Sequence, residues 1–152
     1  MHASAYIRRE TAVSIAINVA LSAAFFIAVF GVEGLVPVWG IGGYVFDFGP
    51  QGFMIGLMAT LVPGLLARRA LASGKVVRIA GKSGLPAAVL PRAILCGALG
   101  AAVGVAASAL LLWAGGATQL EWLPALLAKL VFGAVLALIV TPAGLRAELT
   151  KR

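Results

Sequence analysis

WLPALLAKLVFGAVLALIVTPAGLR, running from Trp122 to Arg146, decides the reading of this chain. It is long enough to span a bilayer, since a transmembrane helix needs about 20 mainly apolar residues. Its single charge before Arg146 is Lys129, seven residues in. An ionisable group in such a segment is costly enough to be a functional candidate by default. Lys129 would lie roughly 9 Å below the interface if the span begins near Leu123, at about 1.5 Å per residue. Three roles are open to it: an ammonium snorkelling to the headgroups on its flexible stem, a structural ion pair, or a group facing a ligand.

Working outward, the composition agrees with a membrane location. With 62% hydrophobic and 11% charged residues, the chain falls far below the roughly 25% charge of a globular domain. The charges stand between apolar runs, so hydropathy resolves four spans at about residues 11–30, 51–67, 93–113 and 123–143, the second shorter than the others unless its start reaches back to Val45 and includes Asp47. The expected fold is an all-α integral membrane protein, a four-helix bundle forming one domain over residues 1–152 and leaving no room for a soluble one. The leader carries Arg8 and Arg9 before an apolar run too long for a cleaved signal peptide, so the first span is read as retained.

The stretch FDFGPQGFMIGLMATLVPGLLARR, Phe46 to Arg69, resembles small bacterial inner-membrane proteins with four helices. That resemblance implies the fold and a multi-pass location in the inner (cytoplasmic) membrane, and it implies no activity.

Orientation follows from charge. Arg68, Arg69, Lys75, Arg78, Lys82 and Arg92 gather in residues 68–92 with no acidic residue among them, and the leader and the tail with Arg146, Lys151 and Arg152 have the same sign. Lys and Arg collect in short cytoplasmic loops, so this loop and both termini are expected in the cytoplasm. Those six basic residues are expected to meet anionic lipid headgroups, which account for the net charge of +7 without nucleic acid. Glu33, Asp47 and Glu121 fall in or beside the opposite connections. Asp47 is therefore the preferred partner for Lys129, brought to it by the first connection folding inward; residues 31–50 are read as an aromatic-rich loop lying at the headgroups, the alternative being a lid or partly re-entrant segment.

Small residues recur every fourth position in each span. Gly52, Gly56, Thr60 and Gly64 form one stripe, Cys96, Gly100, Gly104 and Ser108 a second, and Lys129, Gly133, Ala137 and Thr141 a third. Such stripes let helix backbones approach closely, and Gly100 to Gly104 is a Gly-x-x-x-Gly pair whose partner could be in this chain or another copy. Ser14, Asn18 and Ser22 share a face of the first span, where Asn18 is expected to hydrogen-bond a neighbouring helix. Each half of the chain crosses outward, returns, and ends on threonine, proline, glycine and arginine (Thr60, Pro63, Gly64, Arg68; Thr141, Pro142, Gly144, Arg146), the pattern of two parallel hairpin repeats.

Catalytic constellations are missing. His2 is the only histidine and Cys96 the only cysteine, no carboxylate pair has helical spacing within a span, and no phosphate-binding loop motif occurs. Neither enzymatic activity nor a cofactor is expected. The reading that needs least is an accessory or scaffold subunit in a larger membrane complex; the alternative is a small transporter or permease, a homo-oligomer using Lys129.

Overall fold

A computed structural model describes residues 2–150; Met1, Lys151 and Arg152 lie outside the described residues, and with them the cytoplasmic expectation for Arg152. Four helices, each long and apolar enough to cross a membrane, make up most of the chain. They are α1 (Ala3–Phe30), α2 (Tyr44–Ala72), α3 (Val89–Ala114) and α4 (Trp122–Leu149). Two three-residue strands, β1 (Leu35–Pro37) and β2 (Gln119–Glu121), are the exception to an all-helical chain. Each helix overshoots its expected span. A 28-residue helix such as α1 is about 42 Å long, against a hydrocarbon core of about 30 Å, so its outer turns can carry Arg8 and Arg9 in the headgroup layer.

At α2 the longer of the two expected starts holds: the helix begins at Tyr44 and so takes in Asp47, Gly49 and Pro50. Gly-Pro reads as a helix start, but Pro50 sits early enough that it removes a single intrahelical bond and the helix runs on. The remainder of residues 31–50 is non-helical. It forms an antiparallel ribbon with the connection between α3 and α4, pairing Leu35 with Glu121, Val36 with Leu120 and Pro37 with Gln119. Val38 N–H extends the ribbon by donating to Thr118 O at 3.1 Å. Indole N–H groups close both flanks, Trp39 donating to Ala117 O at 2.8 Å and Trp122 to Gly31 O at 2.9 Å.

In packing order the helices run α1, α4, α2, α3, with α2 and α4 in the middle and little direct contact within either hairpin. Glycine explains the closest approach. A Cβ placed on Gly52 or Gly56 would strike the backbone of Gly100 or Cys96, and one on Gly100 would reach Gly52 O at 2.5 Å. The partner of the Gly-x-x-x-Gly helix is thus α2 of the same chain, with Gly104 fitted against Phe132 of α4. Gly133 makes the equivalent approach to Ser22 of α1, and Gly64 accommodates Val89.

Thr60 and Ser108 spend their hydroxyls on their own helices, donating to Gly56 O at 2.8 Å and Gly104 O at 2.7 Å. Asn18 does likewise, its Nδ2 donating to Ser14 O at 2.8 Å, so it is not a bond to the neighbouring helix. That cross-helix bond is made by Ser14, whose Oγ accepts from Thr141 Oγ1 at 2.8 Å.

The faces left outside are apolar: Val13, Ile17 and Leu21 on α1, and Leu99, Val103 and Leu110 on α3. Such faces suit lipid. At the opposite end from the ribbon, Tyr6, Ile7, Ala67, Ala70, Val76, Leu145 and Leu149 form a cluster that brings together the start of α1 and the ends of α2 and α4. The segment between α2 and α3 is tied there by a bridge from Ile79 to Thr150.

Gly56→Ala is expected to lower the thermal midpoint in detergent, because its methyl would meet the backbone of Cys96 and Gly97, which cannot swing aside as a side chain could; overpacking of this kind costs about 1–3 kcal/mol. Gly84→Ala, where a methyl meets nothing within 4 Å, should leave the midpoint unchanged.

Candidate functional site

The site is built at the ribbon end of the α2–α4 seam. Lys129 is 1% exposed, and its Nζ donates to Asp47 Oδ2 at 2.8 Å. Aromatic faces close the rest of the ammonium's surroundings, Phe48 at 3.7 Å and Tyr44 at 4.9 Å from ring centroid to Nζ. These rings attract a desolvated cation through their quadrupoles. Asp47 is placed in the first turn of α2, where the positive end of the helix dipole favours a negative charge. The lysine is paired inside the protein and does not snorkel.

An aromatic cage fixes this geometry. Phe26, Phe30, Tyr44, Phe48, Trp122 and Phe132 meet edge to face or tilted, with centroids between 5.0 and 6.5 Å apart. Tyr44 adds a hydroxyl that donates to Ala125 O at 2.7 Å, fastening the start of α2 to the first turn of α4. Gln51, one turn below Asp47, donates through Nε2 to Ser22 Oγ at 2.9 Å and to Lys129 O at 3.3 Å. It joins α1, α2 and α4 at one point. With Ser22, Asn18, Ser14 and Thr141 it makes a buried polar strip down the α1 side of the seam.

A second charged cluster closes the other end. Glu148 of α4 accepts from Arg68 Nε at 2.6 Å through Oε1 and from Arg92 Nη2 through Oε2. Arg92 is 0% exposed, and its Nη1 donates to Pro86 O at 3.3 Å. This corrects the expectation that Arg92 meets lipid headgroups, because its guanidinium is enclosed at the first turn of α3. Arg68 remains half exposed but is held by the same carboxylate. Arg69, Lys75, Arg78 and Lys82 lie on the exposed surface.

Glu148 is the residue that sequence reasoning missed. Apart from Glu10, it is the one carboxylate at the basic end, and that isolation was the available signal: a lone acid among arginines is a pairing candidate.

Asp47 and Arg68 are 21 residues apart on α2, and Lys129 and Glu148 are 19 apart on α4. At 1.5 Å per residue both separations are about 30 Å, the thickness of a hydrocarbon core. The two charged clusters therefore stand near opposite ends of the bundle, with the glycine contacts between them. Among the described residues no three His, Cys, Asp or Glu side chains come close enough to hold a metal ion.

Comparison with protein-family models, curated proteins and solved structures returns no match to this chain. Four helices that are each long and apolar enough to cross a membrane suggest a multi-pass membrane protein.

Glu148→Ala is expected to destabilise the protein far more than Arg68→Ala. Removing the carboxylate strands the enclosed Arg92 guanidinium, a loss of about 3–5 kcal/mol for a buried pair, whereas a half-exposed arginine contributes about 0–1 kcal/mol. Unfolding midpoints in detergent would check the order; equal midpoints would mean that Arg92 finds another partner.

Proposed function

We propose that this chain is a non-enzymatic accessory or scaffold subunit of the inner (cytoplasmic) membrane, with both termini and the basic segment 68–92 in the cytoplasm. The observation that carries this reading is the pairing of Lys129. Among the described residues Lys129 is the one buried lysine, and its ammonium is already enclosed by Asp47, Tyr44 and Phe48, so it holds two helices together and presents no free charge to a passing ion. Ion routes need charged or carbonyl groups lining an open path. The glycine stripes are likewise consumed inside the chain, which leaves the apolar faces of α1 and α3 as the surfaces for lipid or a partner subunit. On the cytoplasmic side, Arg69, Lys75, Arg78 and Lys82 add roughly 1 kcal/mol of attraction each to anionic headgroups.

A specific observation favours the second reading, a small oligomeric transporter. Exchanging α1 with α3 and α2 with α4 leaves the packing pattern unchanged: α1 lies on α4 as α3 lies on α2, and β1 pairs with β2. Two parallel repeats about an axis along the membrane normal produce that pattern.

Mass measurement in mild detergent separates the two. A scaffold subunit runs as a 15.5 kDa monomer when produced alone and enters a larger species when extracted from its native membrane. A stable homodimer from the isolated chain would favour the transporter and count against the scaffold.

A further inference from the structure

Beyond Ala72 the chain turns back and is pinned to the end of α4. Gly74 takes a φ of 70°, and the turn it makes lets Lys75 N–H donate to Ala70 O at 2.9 Å. Val76 is then buried in the cluster with Leu145 and Leu149, and Ile79 N–H donates to Leu149 O at 2.9 Å. Arg78 is held between these two anchors. Together with Arg68 of α2 it lines an open cleft of about 630 Å³ whose other walls include Leu71, Ala72 and Val77. The same two arginines line an adjoining hollow of about 380 Å³ against Ala87 and Thr150. Most of the hydrogen-bonding capacity here is unspent. Arg78 is exposed and has no hydrogen-bond or ion-pair partner among the described residues. Arg68 gives only its Nε to Glu148, at 2.6 Å, which leaves both Nη groups for another acceptor. Glu148 also lines the cleft, but its side chain is 10% exposed and both of its oxygens are engaged, one by Arg68 and one by Arg92. Among the described residues, an anion entering this cleft meets two guanidiniums and no free carboxylate.

We propose that this cleft binds the phosphate group of a phosphate ester, gripped by Arg68 and Arg78. Guanidinium forks match phosphate oxygens in geometry and stay charged at every physiological pH. The apolar walls select the rest of the ligand. A volume of about 630 Å³ falls within the roughly 300–1,000 Å³ of ligand pockets, so there is room beside Leu71 and Val77 for the carbon body that carries the phosphate. Two sources supply such an ester, a lipid headgroup and a soluble metabolite. The site is narrower than the diffuse headgroup attraction inferred for segment 68–92, because Arg69 and Lys82 carry the same charge on that exposed surface and line neither cavity.

The test titrates the purified full chain, in an uncharged detergent at matched ionic strength, with glycerol 3-phosphate and with dihexanoyl phosphatidylglycerol, reading the thermal midpoint against a sodium chloride blank. At least one probe is expected to stabilise saturably. A response to glycerol 3-phosphate identifies a soluble ester, and a response to the lipid alone identifies a headgroup. Arg78→Gln should weaken the responding probe at least about tenfold, as the loss of a charge-assisted bond requires, whereas Arg69→Gln, which removes an equal charge outside the cleft, should leave its affinity unchanged. Arg68→Gln, scored against its own ligand-free midpoint, should weaken the probe as Arg78→Gln does. Should Arg68→Gln fail to fold for want of its bond to Glu148, Arg78→Gln decides the matter, because Arg78 has no partner to lose among the described residues. No saturable shift beyond the blank with either probe, or equal weakening by Arg69→Gln and Arg78→Gln, would overturn the proposal. The second of these results would leave the diffuse headgroup attraction standing.

Discussion

An ammonium in the apolar layer must be matched or expelled, and the arrangement of this protein follows from its being matched. Lys129 is too enclosed to keep water, so its charge is offset by Asp47 at 2.8 Å and by the faces of Phe48 and Tyr44. That solution imposes demands on the chain around it. Asp47 has to be helical, which requires α2 to start at Tyr44. Tyr44 has to be held, which its bond to Ala125 O and the surrounding rings accomplish. The two connections at this end then have to stay closed over the pair, and the β1–β2 ribbon with its two indole bonds does this.

The seam between α2 and α4 is consequently tied at both ends and close-packed between them. Asp47 and Lys129 fasten the ribbon end, while Arg68, Arg92 and Glu148 fasten the basic end and add α3. Between the two clusters lie Thr60 against Gly144 and the glycine contacts of α2 with α3. In lipid there is no hydrophobic drive to bring helices together, so backbone approach and buried polar pairs have to supply the cohesion. Here the glycines set how near the helices come, and the charges set their register.

Four spans were legible because apolar runs of this length have few other readings, and Lys129 stood out because it interrupted one of them. Asp47 could be named as its partner from charge distribution alone, since it falls on the same side of the layer. Gln51 was hidden by its place beside Gly49-Pro50, where a polar residue looks like a span boundary and not the hub of three helices. Three-residue strands such as Leu35–Pro37 carry too short a period to register. Arg92 was misread for a different reason: it belongs to a run of basic residues, and nothing local distinguishes the one that is buried against Glu148, 56 positions away. Asn18 shows the converse, a polar side chain on the expected face that turned back to its own helix.

The central claim is that Lys129 and Asp47 stabilise the fold as a pair. A double-mutant cycle measures this directly, from the unfolding midpoints in detergent of Lys129→Ala, Asp47→Ala and the two together. Each single change leaves one charge unmatched in the aromatic cage, so the account predicts that the double variant is at least as stable as the weaker single variant, with a coupling of about 0.5–3 kcal/mol. Losses that simply add would contradict it.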